Sequence, residues 1–205
     1  PGIKLSRLIL KIKSKEDSVF ILQNHGLIVC GDDLEEIKKL NFKIRDCLQN
    51  ELNKNTIIKS KDNNNFEINL NNTQYKLLNE DYAFDLANNK SWLKKISLGV
   101  FLPDVLVFLG PKIIQIKPDE KKLSFKLNKL SKLSLPFNSC IILSGYGVII
   151  RKDSLNGTIE MIKLLSELMH RVPEEEKLEY FNDGQVLSLL NWDAEHYRQK
   201  LNQIY

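Results

Sequence analysis

A chain of 205 residues with 42% hydrophobic and 27% charged side chains has the size of one ordinary domain, or of one domain plus a piece of another. No apolar run approaches the roughly 18 residues that span a bilayer, which excludes a membrane-embedded reading. The formal net charge of +4 comes from 30 basic and 26 acidic residues scattered without a basic stripe interleaved with aromatics, so nucleic acid is not an expected partner. The opening Pro1-Gly2-Ile3-Lys4 has neither an initiator methionine nor a secretory pattern and reads as a cut point inside a longer polypeptide. Three widely spaced cysteines, Cys30, Cys47 and Cys140, form no CxxC, and this fits reduced thiols in a cytoplasm.

In chain order, residues 3–13 carry apolar side chains at mostly helical spacing. Val19–Leu22 and Leu27–Cys30 are compact apolar runs on either side of Gln23-Asn24-His25-Gly26, which predicts two buried strands joined by a tight turn. A helix is expected over 34–52, with Asp33 and Glu36 spaced as a capping box. The polar, asparagine-rich stretch 53–65 lacks the apolar surface needed to order itself and is the expected boundary. Beyond it, Phe66–Leu70 alternates like a strand and 80–98 reads as helical. Val105–Leu109, closed by Gly110-Pro111, reads as a buried strand, and Ile113–Ile116 and Leu123–Leu127 as short ones. Cys140–Leu143 and Val148–Ile150 are stronger strand candidates, and helices are expected over 155–171, 182–190 and 193–202.

The layout contains a half-repeat. Val19 to Val29 matches Cys140 to Ile150 without a gap, and the same register pairs Asp32 with Asp153 and Leu34 with Leu155. Each copy reads as strand, short turn ending in glycine, strand, capped helix. Two readings fit this: strand–turn–strand–helix is a common pattern that recurs by coincidence, or the chain carries a duplication whose second copy has lost its chemistry, since Tyr146 stands where His25 stands and a phenol is a poor substitute for imidazole as a zinc-type ligand. The expected domains are residues 1–55, finishing a first, metal-bearing domain; 56–65, a linker; and 66–205, a second, degenerate relative of it.

Asn24-His25-Gly26 is the best candidate functional site. A histidine between two strands is rigidly presented, Gly26 permits positive φ beside it, and Asn24 can hydrogen-bond the turn. Neutral imidazole suits a metal ligand or an acid/base group, while the same residues would also serve a purely structural hairpin. Gly145-Tyr146-Gly147 lacks the spacing of a phosphate loop and reads as a turn. Asp193, Glu195 and Tyr197 are expected to face solvent, or a subunit contact anchored by Trp192, and Glu174-Glu175-Glu176 is expected to be a solvated run.

The stretch Phe20 to Asp32 resembles the histidine-glycine-leucine segment of class II aldolase/adducin proteins, and Pro1 to Ser6 resembles the family's lead into the preceding helix. Leu102 to Pro111 and Leu189 to Gln199 resemble recurring stretches of larger bacterial members. The resemblance implies a three-layer α/β/α fold with a mainly antiparallel sheet, in which His25 is the third of three histidines on a divalent ion, usually zinc. It implies a lyase of carbohydrate metabolism that makes or breaks a C–C bond in a small keto-sugar or its phosphate, through a metal-stabilised enediolate. A homo-oligomer is expected on the same ground. The family's histidine-x-histidine pair, glutamate base and phosphate-binding residues lie upstream of this point and have no counterpart here. His170 and His196 are the only other histidines, and a catalytic zinc needs about three protein ligands. The amino-terminal part of the same protein would have to complete the site. The alternative is a non-catalytic, adducin-like binding or assembly module that keeps the histidine turn for structure.

Overall fold

The computed structural model describes residues 2–14, 18–22, 26–52, 68–118 and 122–202. The chain divides into two units, Pro1–Thr56 and Ile57–Tyr205. The division falls at the start of the asparagine-rich stretch. The expected linker itself lies outside the described residues, as do Phe66 and Glu67 of the expected first strand of the second domain.

The first unit comprises helix α1 (Ile3–Ile12), strands β1 (Val19–Leu22) and β2 (Gly26–Val29) and helix α2 (Leu34–Leu52). β1 and β2 form an antiparallel two-stranded sheet. α2 begins where Asp33 Oδ1 accepts the Glu36 N–H at 2.8 Å, leaving one fewer orphan donor in the first turn. The Glu36 carboxylate reaches back to the N–H of Asp32 at 2.8 Å, one residue earlier than a standard capping box. Among the described residues of this unit no side chain is fully buried.

The second unit follows the order β3 (Tyr75–Leu78), α3 (Asp81–Asn88), α4 (Lys90–Ser97), α5 (Pro103–Leu109), β4 (Ile114–Ile116), α6 (Leu123–Leu130), β5 (Cys140–Leu143), β6 (Gly147–Arg151), α7 (Gly157–Arg171), α8 (Asp183–Leu190) and α9 (Asp193–Leu201). Its sheet has the order β3-β6-β5-β4. The β3–β6 and β5–β6 pairs are antiparallel and β4–β5 is parallel, so the sheet is mixed. Cys140, Ile142, Val148 and Ile150 bury themselves in one cluster with α3, α5 and α7. Ile141, Leu143 and Ile149 join Tyr75, Leu123 and Leu127 in another. Burial on both faces explains why β5 and β6 read as unbroken apolar runs instead of alternating ones.

Several expectations change, the first being that β1 and β2 are not buried, with Ile21 85% exposed. Val105–Leu109 is helical, not a strand. Pro103 fits the first helical position, where its missing N–H costs nothing, Asp104 sits in the first turn, and Gly110 ends the helix at φ +87°. All five residues from Val105 to Leu109 are buried, and a helix buried on every side carries no periodicity to separate it from a strand. Leu123–Leu127 is also helical. Leu123 and Leu127 are inside, one helical turn apart, while Phe125, which created the apparent alternation, is 76% exposed. Finally, 80–98 is two helices divided at Asn89, whose side chain accepts the N–H groups of Ser91 and Trp92 at 3.0 and 3.1 Å and so starts a new helix. One edge strand of this unit is β3, which the sequence reading passed over, and Ile68 and Leu70 pack on the core without strand pairing. Among the described residues no helix is long and apolar enough to cross a membrane.

Candidate functional site

The β1–β2 hairpin pairs Val19 with Val29 and Leu22 with Gly26. Only three residues therefore join its strands. They are Gln23, Asn24 and His25, and they lie outside the described residues. Gly26 closes the connection at φ +139°, with nothing within 4 Å of where a Cβ would stand. The restriction there is conformational and not one of space, since side-chain-bearing residues avoid that backbone region.

The second hairpin repeats the first in backbone register, 121 positions later. Cys140 pairs with Ile150 and Leu143 with Gly147, and Gly147 has φ +147°. Even the bond beyond the ladder recurs: the Cys30 N–H donates to Ser18 O at 2.7 Å, and the Arg151 N–H donates to Ser139 O at 3.0 Å. The second turn is tied down by its own backbone. Ser144, Gly145 and Tyr146 donate their N–H groups to the carbonyls of Ile116, Ala87 and Leu143, each at 2.9 Å. With the Gly145 and Tyr146 amides committed and Gly147 paired with Leu143 in the ladder, this turn does not present a phosphate cradle. Tyr146, in the position of His25, packs half-buried against the second core cluster.

The remaining histidines belong to the second unit and lie on different helices. His170, in the last turn of α7, has Nε2 3.4 Å from Asp85 Oδ2 and meets the Trp92 ring edge-on, with ring centroids 4.4 Å apart. His196 is exposed on α9. Among the described residues no three His, Cys, Asp or Glu side chains are grouped to hold a metal ion. Those residues therefore do not make a divalent-metal site on their own.

Of the tail carboxylates, Glu195 has a packing role, whereas Asp193 is exposed. Arg198 forms ion pairs with Asp104 and Glu195, both at 2.7 Å, and its guanidinium lies 5.2 Å from the centre of the Phe108 ring. The Gln199 side chain donates to Val107 O at 2.8 Å. The stretches 102–111 and 189–199 are thus fastened to each other, α9 onto α5. Trp192 and Tyr197 remain exposed. Sequence reading missed a second cluster: Asn138, fully buried, donates to the carbonyls of Leu130 and Leu133, while its Oδ1 accepts from Arg151. Arg151 also holds the Asp153 carboxyl below its usual range. Nothing in the spacing of residues 130–153 announced this network, since it depends on chain reversal through β5 and β6.

The cysteines divide by burial. Burial pushes the Cys140 thiol up to about 12, leaving about one part in ten thousand as reactive thiolate near pH 8. Cys47 is exposed and Cys30 partly so. Titration of the native protein with a thiol reagent should therefore modify Cys47 first, then Cys30, and Cys140 only after unfolding in urea. Rapid reaction of all three thiols in the native state would contradict the packing of β5.

In comparisons with known proteins, the chain matches no family model, no curated sequence and no solved structure.

Proposed function

We propose that the first unit carries one ligand, His25, of a divalent-metal site of the class II aldolase type, with zinc as the ion. The remaining ligands would come from polypeptide outside residues 1–205. The carrying observation is the hairpin geometry: strands paired at Leu22 and Gly26 leave a three-residue connection followed by a glycine at φ +139°. Such a connection limits the reach of a histidine placed just before that glycine, and a ligand needs that restriction to keep its geometry. The second copy of the hairpin, with tyrosine at the matching position and its turn amides committed to packing, supports a division of labour. On this reading the second unit serves stability and assembly in a cytoplasmic homo-oligomer of three-layer α/β/α type. The substrate class is a small keto-sugar or its phosphate. On this reading the described residues do not compose the catalytic site alone, so no reaction step is assigned to them.

The test is the metal content of the protein expressed from its natural gene, measured alongside a His25→Ala variant. About one divalent ion per chain is expected, falling at least tenfold in the variant, with an unchanged far-UV circular dichroism spectrum. Metal-free protein, or a content indifferent to His25→Ala, overturns the proposal and favours the adducin-like module, in which the turn is structural.

A further inference from the structure

Residues 112–132 contain seven lysines and two acids, an excess of five positive charges in a chain whose total is +4. The rest of the molecule is therefore slightly acidic: the excess positive charge, expected from the sequence to be scattered, is concentrated in one segment. α6 gives that segment direction. Leu123 and Leu127 point into the core, while Lys122, the adjacent Phe125 and Lys126, and Lys129 lie three or four residues apart on the exposed side. The turn after the helix, in which the Lys132 and Leu133 N–H groups donate to the carbonyls of Lys129 and Leu130 at 3.4 and 3.0 Å, extends this stripe to Lys132 and Leu133. Phe125 is 76% and Leu133 48% exposed. Among the described residues none of these four lysines has an ion-pair partner. Read as a strand, the segment would have put Phe125 on the same face as Leu123 and Leu127; as a helix it turns the ring outward among the lysines.

We propose that the outward face of α6 docks reversibly on an anionic lipid surface. Charge complementarity names the sign of the partner, and the residue types name its kind. Lysine is a hydrated point charge on a flexible stem, suited to a diffuse negative surface, whereas bidentate phosphate recognition favours arginine. Phe125 and Leu133 supply apolar groups that can enter the headgroup boundary. A base-stacking surface would use several aromatic rings, and this face carries one, Phe125, beside an aliphatic leucine. This docking is independent of the metal site proposed for His25.

The experiment is flotation of the full chain with vesicles of phosphatidylcholine alone, or of phosphatidylcholine and phosphatidylserine in equal parts. Binding is expected only to the second, and to weaken with salt. Replacing Lys122, Lys126 and Lys129 with alanine should lower the partition coefficient on the order of a hundredfold, at about fivefold per lysine. Phe125→Ser should lower it several-fold without changing the salt dependence. A charge-matched control, alanine at Lys4, Lys39 and Lys43, should bind like the parent. Should the triple variant lose its fold, Lys126→Glu and Phe125→Ser give the same two readouts singly. Equal binding to both vesicles, binding indifferent to the α6 substitutions, or preference for a mixed-sequence oligonucleotide over the vesicles overturns the proposal.

Discussion

Gly110→Ala should destabilise the second unit by about 2–6 kcal/mol, a loss from two separate sources. Gly110 ends α5 with φ +87° and ψ 174°, a backbone region essentially confined to glycine and costing about 1–3 kcal/mol for any other residue. An added methyl group would also stand 3.0 Å from the Phe137 Cα and 3.1 Å from the Pro136 carbonyl oxygen. Both are backbone atoms, so no side-chain rotation relieves the contact. Overpacking of this kind adds about 1–3 kcal/mol. Urea denaturation followed by circular dichroism should show a lower midpoint with an unchanged slope. A loss under about 0.5 kcal/mol, ordinary for a surface position, would mean that α5 does not end against the Pro136–Phe137 segment.

Ile142→Ala should cost about 3–5 kcal/mol, while Ile21→Ala, at the matching position of the first hairpin, should cost within about 0.5 kcal/mol of nothing. The two isoleucines occupy equivalent places, 121 residues apart, in hairpins of identical register. Ile142 is fully buried in the central strand β5, between β6 and β4, in the cluster shared with α5 and α7. Truncation there loses the transfer energy of the removed groups and leaves a cavity that flanking strands cannot collapse to fill. Ile21 is 85% exposed, so truncation removes little from water that was not already in contact with it. Equal losses in the two variants, read from the same urea transitions, would show that the first hairpin is as well packed as the second. The paired comparison isolates environment from sequence, because residue type and local backbone pairing are held constant.

The two hairpins mark where sequence reasoning succeeded. Apolar runs interrupted by Asn24-His25-Gly26 and by Gly145-Tyr146-Gly147 identify both turns, since glycine at positive φ is a local requirement of the backbone. Likewise, Asn182 with Gln185 forms a capping box at the start of α8, near the expected beginning at residue 182. The failures share a different cause. The sequence from Val105 to Leu109 is compatible with helix or strand, and burial on every side removed the pattern that would have separated them. Leu123, Phe125 and Leu127 alternate, yet the core accepts only the two leucines.

The amino-acid sequence by itself determined the local geometry: which segments reverse at a glycine, where α7 and α8 run, and that a histidine directly precedes Gly26. The division of the chain beside Thr56 falls within the polar, asparagine-rich stretch 53–65. Only the tertiary structure decided that β4 runs parallel to β5 within a mixed sheet, that Asn138 and Arg151 meet at 3.1 Å, and that Phe125 faces outward among lysines. Those features depend on contacts between residues far apart in the chain, or on which of several apolar residues the core has room to cover. Neither quantity is a property of a short window of sequence; both arise when α6 and the strands pack together.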